Sequence, residues 1–70
     1  MLALGTVLEF DEHRGSGAVR ADDGRELYFH CTEIAGGTRT VAEGTAVVFT
    51  VVACHHGRWE AADVTPVRDI

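Results

Sequence analysis

The chain is short of most residues that mark specialised proteins. Two cysteines, Cys31 and Cys54, are too few for a disulfide framework, so reduced thiols in a reducing compartment are expected. Lys and Arg together number 6 against 11 Asp and Glu, for a net charge of -5. An acidic chain repels nucleic-acid phosphate at long range and gains little from counterion release. This argues against a strong, nonspecific nucleic-acid binder but leaves room for a local neutral or basic patch. Long apolar runs are missing as well. The opening M-L-A-L stops at Gly5, too short for a signal peptide or a membrane span, so a cytoplasmic protein without membrane contact is expected. The single proline, Pro66, has no N–H to donate and belongs at a strand end or an edge. Seventy residues make one domain, 1–70. A core of that size supplies only about 3–5 kcal/mol net, so most of the 46% apolar content must be structural.

Helical periodicity is weak, and what recurs is short β-favouring runs broken by turn residues. The runs are Leu4 to Phe10, Gly15 to Ala21, Glu26 to Cys31, Ala46 to Ala53 and Trp59 to Val67. Asp22-Asp23-Gly24 is a hairpin turn, because Asp and Gly tolerate the positive φ that such turns demand. Thr32 to Ile34 fits one helical turn with Thr32 as its cap, and Gly36 and Gly37 open a long loop reaching Glu43-Gly44. Five strands with the long loop between the third and fourth suit an all-β, five-stranded, closed barrel of the OB type, in which closure removes the exposed sheet edges. Period-two alternation predicts an interior of Val7, Val19, Leu27, Phe29, Ile34, Val47, Phe49, Val51, Ala62 and Val64.

The same alternation turns Tyr28 and His30 outward, with Ser16 and Ala18 beside them. Between these sits R-G-S-G-A-V, Arg14 to Val19. Gly15 and Gly17 carry no side chain, so they either let the barrel coil or let another chain approach closely. A sheet face that offers rings for stacking and a cation at its rim is the surface that single-stranded nucleic acid uses.

Together, G-T-V-L-E-F-D-E-H-R-G-S-G-A-V, then D-D-G, L-Y-F-H-C-T-E-I, E-G-T-A-V-V-F and A-A-D-V-T resemble the cold-shock domain over roughly residues 4 to 67. R-G-S-G-A-V and L-Y-F-H-C stand where that family carries its two ribonucleoprotein motifs, usually K-G-F-G-F-I and V-F-V-H-F. The resemblance implies a five-stranded Greek-key OB barrel that binds single-stranded RNA or DNA on the face of its first three strands, without catalysis. Carried over residue by residue, it marks Phe10, Arg14, Gly15, Gly17, Tyr28 and His30 for nucleic-acid binding, and Arg39 is added as a further cation. It also marks departures. Glu9, Ser16, Ala18 and Cys31 stand where the family has aromatic rings, and Leu8 stands where it has a lysine. Stacking is worth roughly 1–3 kcal/mol per base, so losing four rings forfeits on the order of 4 kcal/mol, about a thousandfold in affinity. Weak binding, or a narrower ligand, is therefore expected.

Other constellations point to less. A protein-binding face, self-association included, is the alternative reading, built on an apolar patch of Leu8, Phe10, Ala18, Tyr28 and Cys31. Cys54-His55-His56 and His30-Cys31 carry metal-ligand chemistry but no zinc-finger spacing, and neither a metal nor a cofactor is expected. Cys31 reads as a small replacement for a ring, and Trp59 as a cover for the barrel end. Asp11, His13 and Ser16 share one short turn with no second layer to exclude water, so no enzyme is expected.

Overall fold

The computed structural model describes residues 2–37, 40–53 and 59–67. Its elements are β1 (Leu2–Asp11), β2 (Ser16–Ala21), β3 (Glu26–His30), two 3-10 turns (Cys31–Glu33 and Ala35–Gly37), β4 (Ala46–Ala53) and β5 (Trp59–Pro66). The strands close into one barrel in the order β1-β2-β3-β5-β4, the five-stranded all-β architecture expected. All neighbours are antiparallel except β3 and β5, which meet in parallel at Tyr28 and Glu60. No helix among the described residues is long and apolar enough to cross a membrane.

The core is made by the alternation in β2, β3 and the first half of β4. Val19, Leu27, Phe29, Val47 and Phe49 are fully buried, and Val7, Ile34 and Val64 join them from β1, the segment after β3 and β5. Val51, at one end of the barrel, is half-buried and packs against this cluster. Strand β5 departs from the expected phase. Ala61, not Ala62, is in the core, and the next inward residue is Val64, three positions on. Pairing explains the shift. Val48 faces Thr65 while Thr50 faces Ala62, so β5 carries one extra residue there, and Asp63 adopts φ 53° to absorb it. Asp is among the few side chains that tolerate this left-handed backbone.

A second bulge lies in β1. Val7 pairs with Val19, but Glu9 pairs with Ala18, so Leu8 is the extra residue. Beyond it the faces exchange: Glu9 and Asp11 take the outer side, and Phe10 takes the inner side opposite Gly17.

The turns follow their chemistry. At the β2–β3 hairpin, Gly24 has φ 95° and its N–H donates to the Ala21 carbonyl at 2.9 Å. The Asp23 carboxylate accepts from the Arg25 backbone N–H at 3.0 Å and from its guanidinium at 2.8 Å. The backbone bond above all, then the guanidinium, holds the Asp23 carboxyl below the usual aspartate range. After β3, the 3-10 turn begins at Cys31, one residue earlier than expected; its N-cap is His30, with no side-chain capping bond, so Thr32 is not the cap. Trp59, expected to cover the barrel end, is 55% exposed at the start of β5. Pro66 ends β5, as its missing donor requires.

Candidate nucleic-acid interface

The β1–β2 turn places the cation. Asp11 Oδ1 accepts from the backbone N–H of His13 at 2.9 Å and of Arg14 at 3.3 Å, and the Asp11 carbonyl accepts from Gly15 N–H at 2.8 Å. Asp11 is thus committed to holding the turn. Gly15 follows with φ 68°, a conformation suited to glycine, and its carbonyl accepts from Cys31 N–H at 2.8 Å. A Cβ on Gly15 would lie 3.1 Å from the Cys31 sulfur, so this half-buried thiol fills the space beside the turn.

Gly17 answers to packing. Its neighbours across the sheet are Phe10 on one side and Phe29 on the other. Those two rings stack with centroids 5.9 Å apart and planes 13° from parallel. A Cβ on Gly17 would come 2.9 Å from the Phe29 ring and 3.0 Å from the Phe10 ring, and would overlap the Glu9 carbonyl oxygen. Phe10 is therefore half-buried against Phe29, its ring divided between the core and the surface.

On the outer side, register aligns two rows. Glu9, Ala18 and Tyr28 lie side by side across β1, β2 and β3; two residues along, Asp11, Ser16 and His30 do the same. Tyr28 is 59% exposed and His30 is exposed too, whereas Ala18 is only 7% exposed although it lies on the outer row. Its small side chain is covered by its neighbours rather than by the core. Of the expected site, Phe10, Arg14, Gly17 and Tyr28 line one open groove of about 710 Å³, together with Ser16 and His13. His30 belongs to the same face, one row along, beside Ser16. Arg39 lies outside the described residues, as do Cys54, His55 and His56.

Resemblance of residues alone understates the charge of this groove. Glu9, Asp11, Glu12 and Glu43 line it against one permanent cation, Arg14. Glu43 comes from the loop before β4, whose Gly44 N–H donates to the Val7 carbonyl at 2.8 Å. Glu43 opens the E-G-T-A-V-V-F segment, and a second backbone bond, from Val7 N–H to the Thr45 carbonyl at 2.9 Å, also ties that loop to β1. Arg20 and Arg25 do not compensate, since they are paired with Glu26 at 3.4 Å and Asp23 at 2.8 Å. Among the described residues, Arg14 is the arginine outside an ion pair.

The apolar patch is smaller than alternation suggests. Ala18 is covered and Leu8, Phe10 and Cys31 are half-buried, which leaves Tyr28 as its exposed ring. Among the described residues, the other exposed large apolar side chains lie elsewhere, at Leu2 and Leu4 of β1, Val52 of β4, Trp59 of β5 and Val67 just after it.

Comparison with known proteins agrees with this geometry. A family model described as the 'Cold-shock' DNA-binding domain matches residues 3–67. Glycine-rich protein 2 of Nicotiana sylvestris is 43% identical over 65 residues, which are 90% of this chain and 30% of that protein. The chain thus spans about a third of the length of this relative. Among solved structures, Drosophila Unr CSD456 superposes with a TM-score of 0.80 at 26% identity, over 97% of this chain and 27% of that one. A matching family model over nearly the whole chain, a closed five-stranded barrel and the two outward rows agree: this chain belongs to the cold-shock domain family, whose fold binds nucleic acid.

Proposed function

We propose that the chain binds single-stranded RNA or DNA weakly on the outer face of β1–β3, in the cytoplasm and without metal, cofactor or catalysis. The observation that carries this reading is the placement of Tyr28 and His30. Both are exposed, on adjacent rows, next to a groove whose rim holds Arg14. Tyr28 is the principal stacking platform, His30 the second, and Phe10 offers the uncovered part of its ring. Gly15 and Gly17 act by shaping the turn and the strand beneath them. Arg14 supplies the phosphate contact, with Arg39 as the other candidate.

Weak binding has two physical sources. Glu9, Ser16, Ala18 and Cys31 provide no ring, and the groove sets four carboxylates against one arginine. Like charges on the groove repel phosphate, and salt screens them over roughly 8–10 Å. The test is fluorescence anisotropy with labelled single-stranded hexamers and heptamers at two salt concentrations. One or two phosphate contacts predict a log K against log salt slope of about -0.7 to -1.4. Tyr28→Ala should weaken binding by roughly 5- to 150-fold, the equivalent of 1–3 kcal/mol of stacking, and His30→Ala should also weaken it. Neither should unfold the barrel, because both side chains are exposed. Unchanged affinity in both variants would remove this face from the ligand's path. A dimer that grows with concentration in light scattering, with no anisotropy change on any oligonucleotide, would instead favour the protein-binding alternative.

A further inference from the structure

The alanine at position 18 does more than omit a ring. Between Leu8 and Tyr28 the surface sinks into a hollow of about 130 Å³, lined also by Glu9, Ala18, Glu26 and Leu27. By the liquid volume of roughly 30 Å³ per water, that is room for about four waters, enough for part of a flat ring. Tyr28 stands on one side, more than half exposed. Ala18, small and covered, lies between Tyr28 and Glu9 in the register, and Glu26 lies two residues before Tyr28 on the same outer side of β3. Glu9 stands two strands from Tyr28, a separation of roughly 10 Å at about 4.8 Å per strand. A base lying against Tyr28 over Ala18 therefore presents its edge to Glu9.

We propose that this hollow seats one nucleobase and that Glu9 selects for a base whose edge donates hydrogen bonds, guanine above all. The inference rests on the single-strand reading of the same face and names the base chemistry that reading leaves open. An ionised carboxylate only accepts hydrogen bonds. Guanine offers two parallel donors, N1–H and the N2 amino group, which match the two oxygens of a carboxylate in a charge-assisted pair. Cytosine and adenine offer an amino group beside an acceptor nitrogen, so they make one such bond. Thymine and uracil offer one N–H between two carbonyl oxygens, and those oxygens meet the carboxylate with like partial charge. Glu26 lines the other wall and is held at 3.4 Å by Arg20, an exposed pair that leaves it free to accept as well.

This gives the acids of the face a task that phosphate attraction does not explain. A carboxylate that repels the backbone still attracts the amino edge of a base whose phosphates run along the rim. Selectivity follows, because a base that fails to donate leaves Glu9 facing carbonyl oxygens.

The test compares heptamers of identical length by anisotropy at low salt: all thymine, thymine alternating with cytosine, and thymine alternating with guanine. The guanine-containing strand should bind about tenfold tighter than all thymine, the discrimination of one bidentate pair, with the cytosine strand between. In Glu9→Gln the amide carries one acceptor and one donor, so the guanine preference should shrink to about twofold or less while binding of all thymine holds or improves. Equal affinity for the three strands, or a thymine preference, overturns the inference and leaves weak single-strand binding standing. A guanine preference that survives in Glu9→Gln overturns the role of Glu9. Absence of binding to every strand overturns the single-strand reading itself, and the base seat with it. Glu9 is exposed, so the variant should fold as the parent does; circular dichroism checks this independently.

Discussion

Gly17→Ala is expected to lower the melting temperature by on the order of 10–25 °C, or to leave the chain unfolded at room temperature. The added methyl has no place to go. It meets a backbone carbonyl oxygen, that of Glu9, and ring carbons of the stacked pair, Cζ of Phe29 and Cδ1 of Phe10. Flexible side-chain ends can yield; a carbonyl fixed in the β1–β2 ladder and a ring buried to 1% exposure cannot. Overpacking of a well-filled site costs about 1–3 kcal/mol, occasionally more, and the upper end applies where backbone must move. A small barrel of this kind has only about 3–5 kcal/mol to lose. With about 4–8 °C of melting temperature per kcal/mol in a domain of this size, the stated range follows. Gly24→Ala is the control. A Cβ there meets nothing within 4 Å, so the cost is limited to the strain of φ 95° in a surface turn. Thermal denaturation followed by circular dichroism reads both. If Gly17→Ala melts within a few degrees of the parent but loses oligonucleotide binding, Gly17 serves ligand approach and not packing.

The strands around Gly17 also show where alternation can be read and where it cannot. In L-Y-F-H, inside and outside follow strict period two, and the structure places Leu27 and Phe29 in the core with Tyr28 and His30 in solvent. The same rule fails wherever a strand takes one extra residue, because each bulge exchanges the faces beyond it. In β1 strict alternation from Val7 would turn Glu9 into the barrel; the extra Leu8 sends Glu9 out and brings Phe10 onto Phe29. The charge of Glu9 at what would be an inward position signals a break there, but Leu8 and Phe10 are both apolar, so the pattern does not say which residue is the extra one. In β5 the signal was present but faint. Ala61 and Ala62 are alike, so pattern cannot choose between them, yet an aspartate inside an apolar run is a residue that tolerates the φ 53° found at Asp63. The acidity of the groove was only partly legible. Glu9, Asp11 and Glu12 lie within four residues of the chain, whereas Glu43 arrives through a loop tied to Val7 by two backbone bonds, with Gly44 and with Thr45.

Restoring rings should reverse the weakness of the face. Glu9→Trp combined with Ser16→Phe is expected to tighten binding of an all-thymine heptamer by about thirtyfold or more. Each regained stacking partner contributes roughly 1–3 kcal/mol, and about 1.4 kcal/mol is tenfold, so two rings at the low end already reach that value. The positions are suitable because both lie on outer rows: Glu9 beside Ala18 and Tyr28, Ser16 between Asp11 and His30. Neither belongs to the core cluster, so the barrel need not repack. Removing Glu9 also deletes one of the four carboxylates lining the groove, which complicates attribution. Glu9→Gln separates the two effects, since it removes the charge and adds no ring. If the double variant binds all thymine no tighter than Glu9→Gln does, then repulsion, not lost stacking, limits this face, and the thousandfold penalty assigned to the absent rings is wrong. If it binds much tighter and no longer favours guanine over thymine, one residue position governs both properties: a carboxylate at position 9 gives up affinity shared by all bases for a contact that only a donor edge can make.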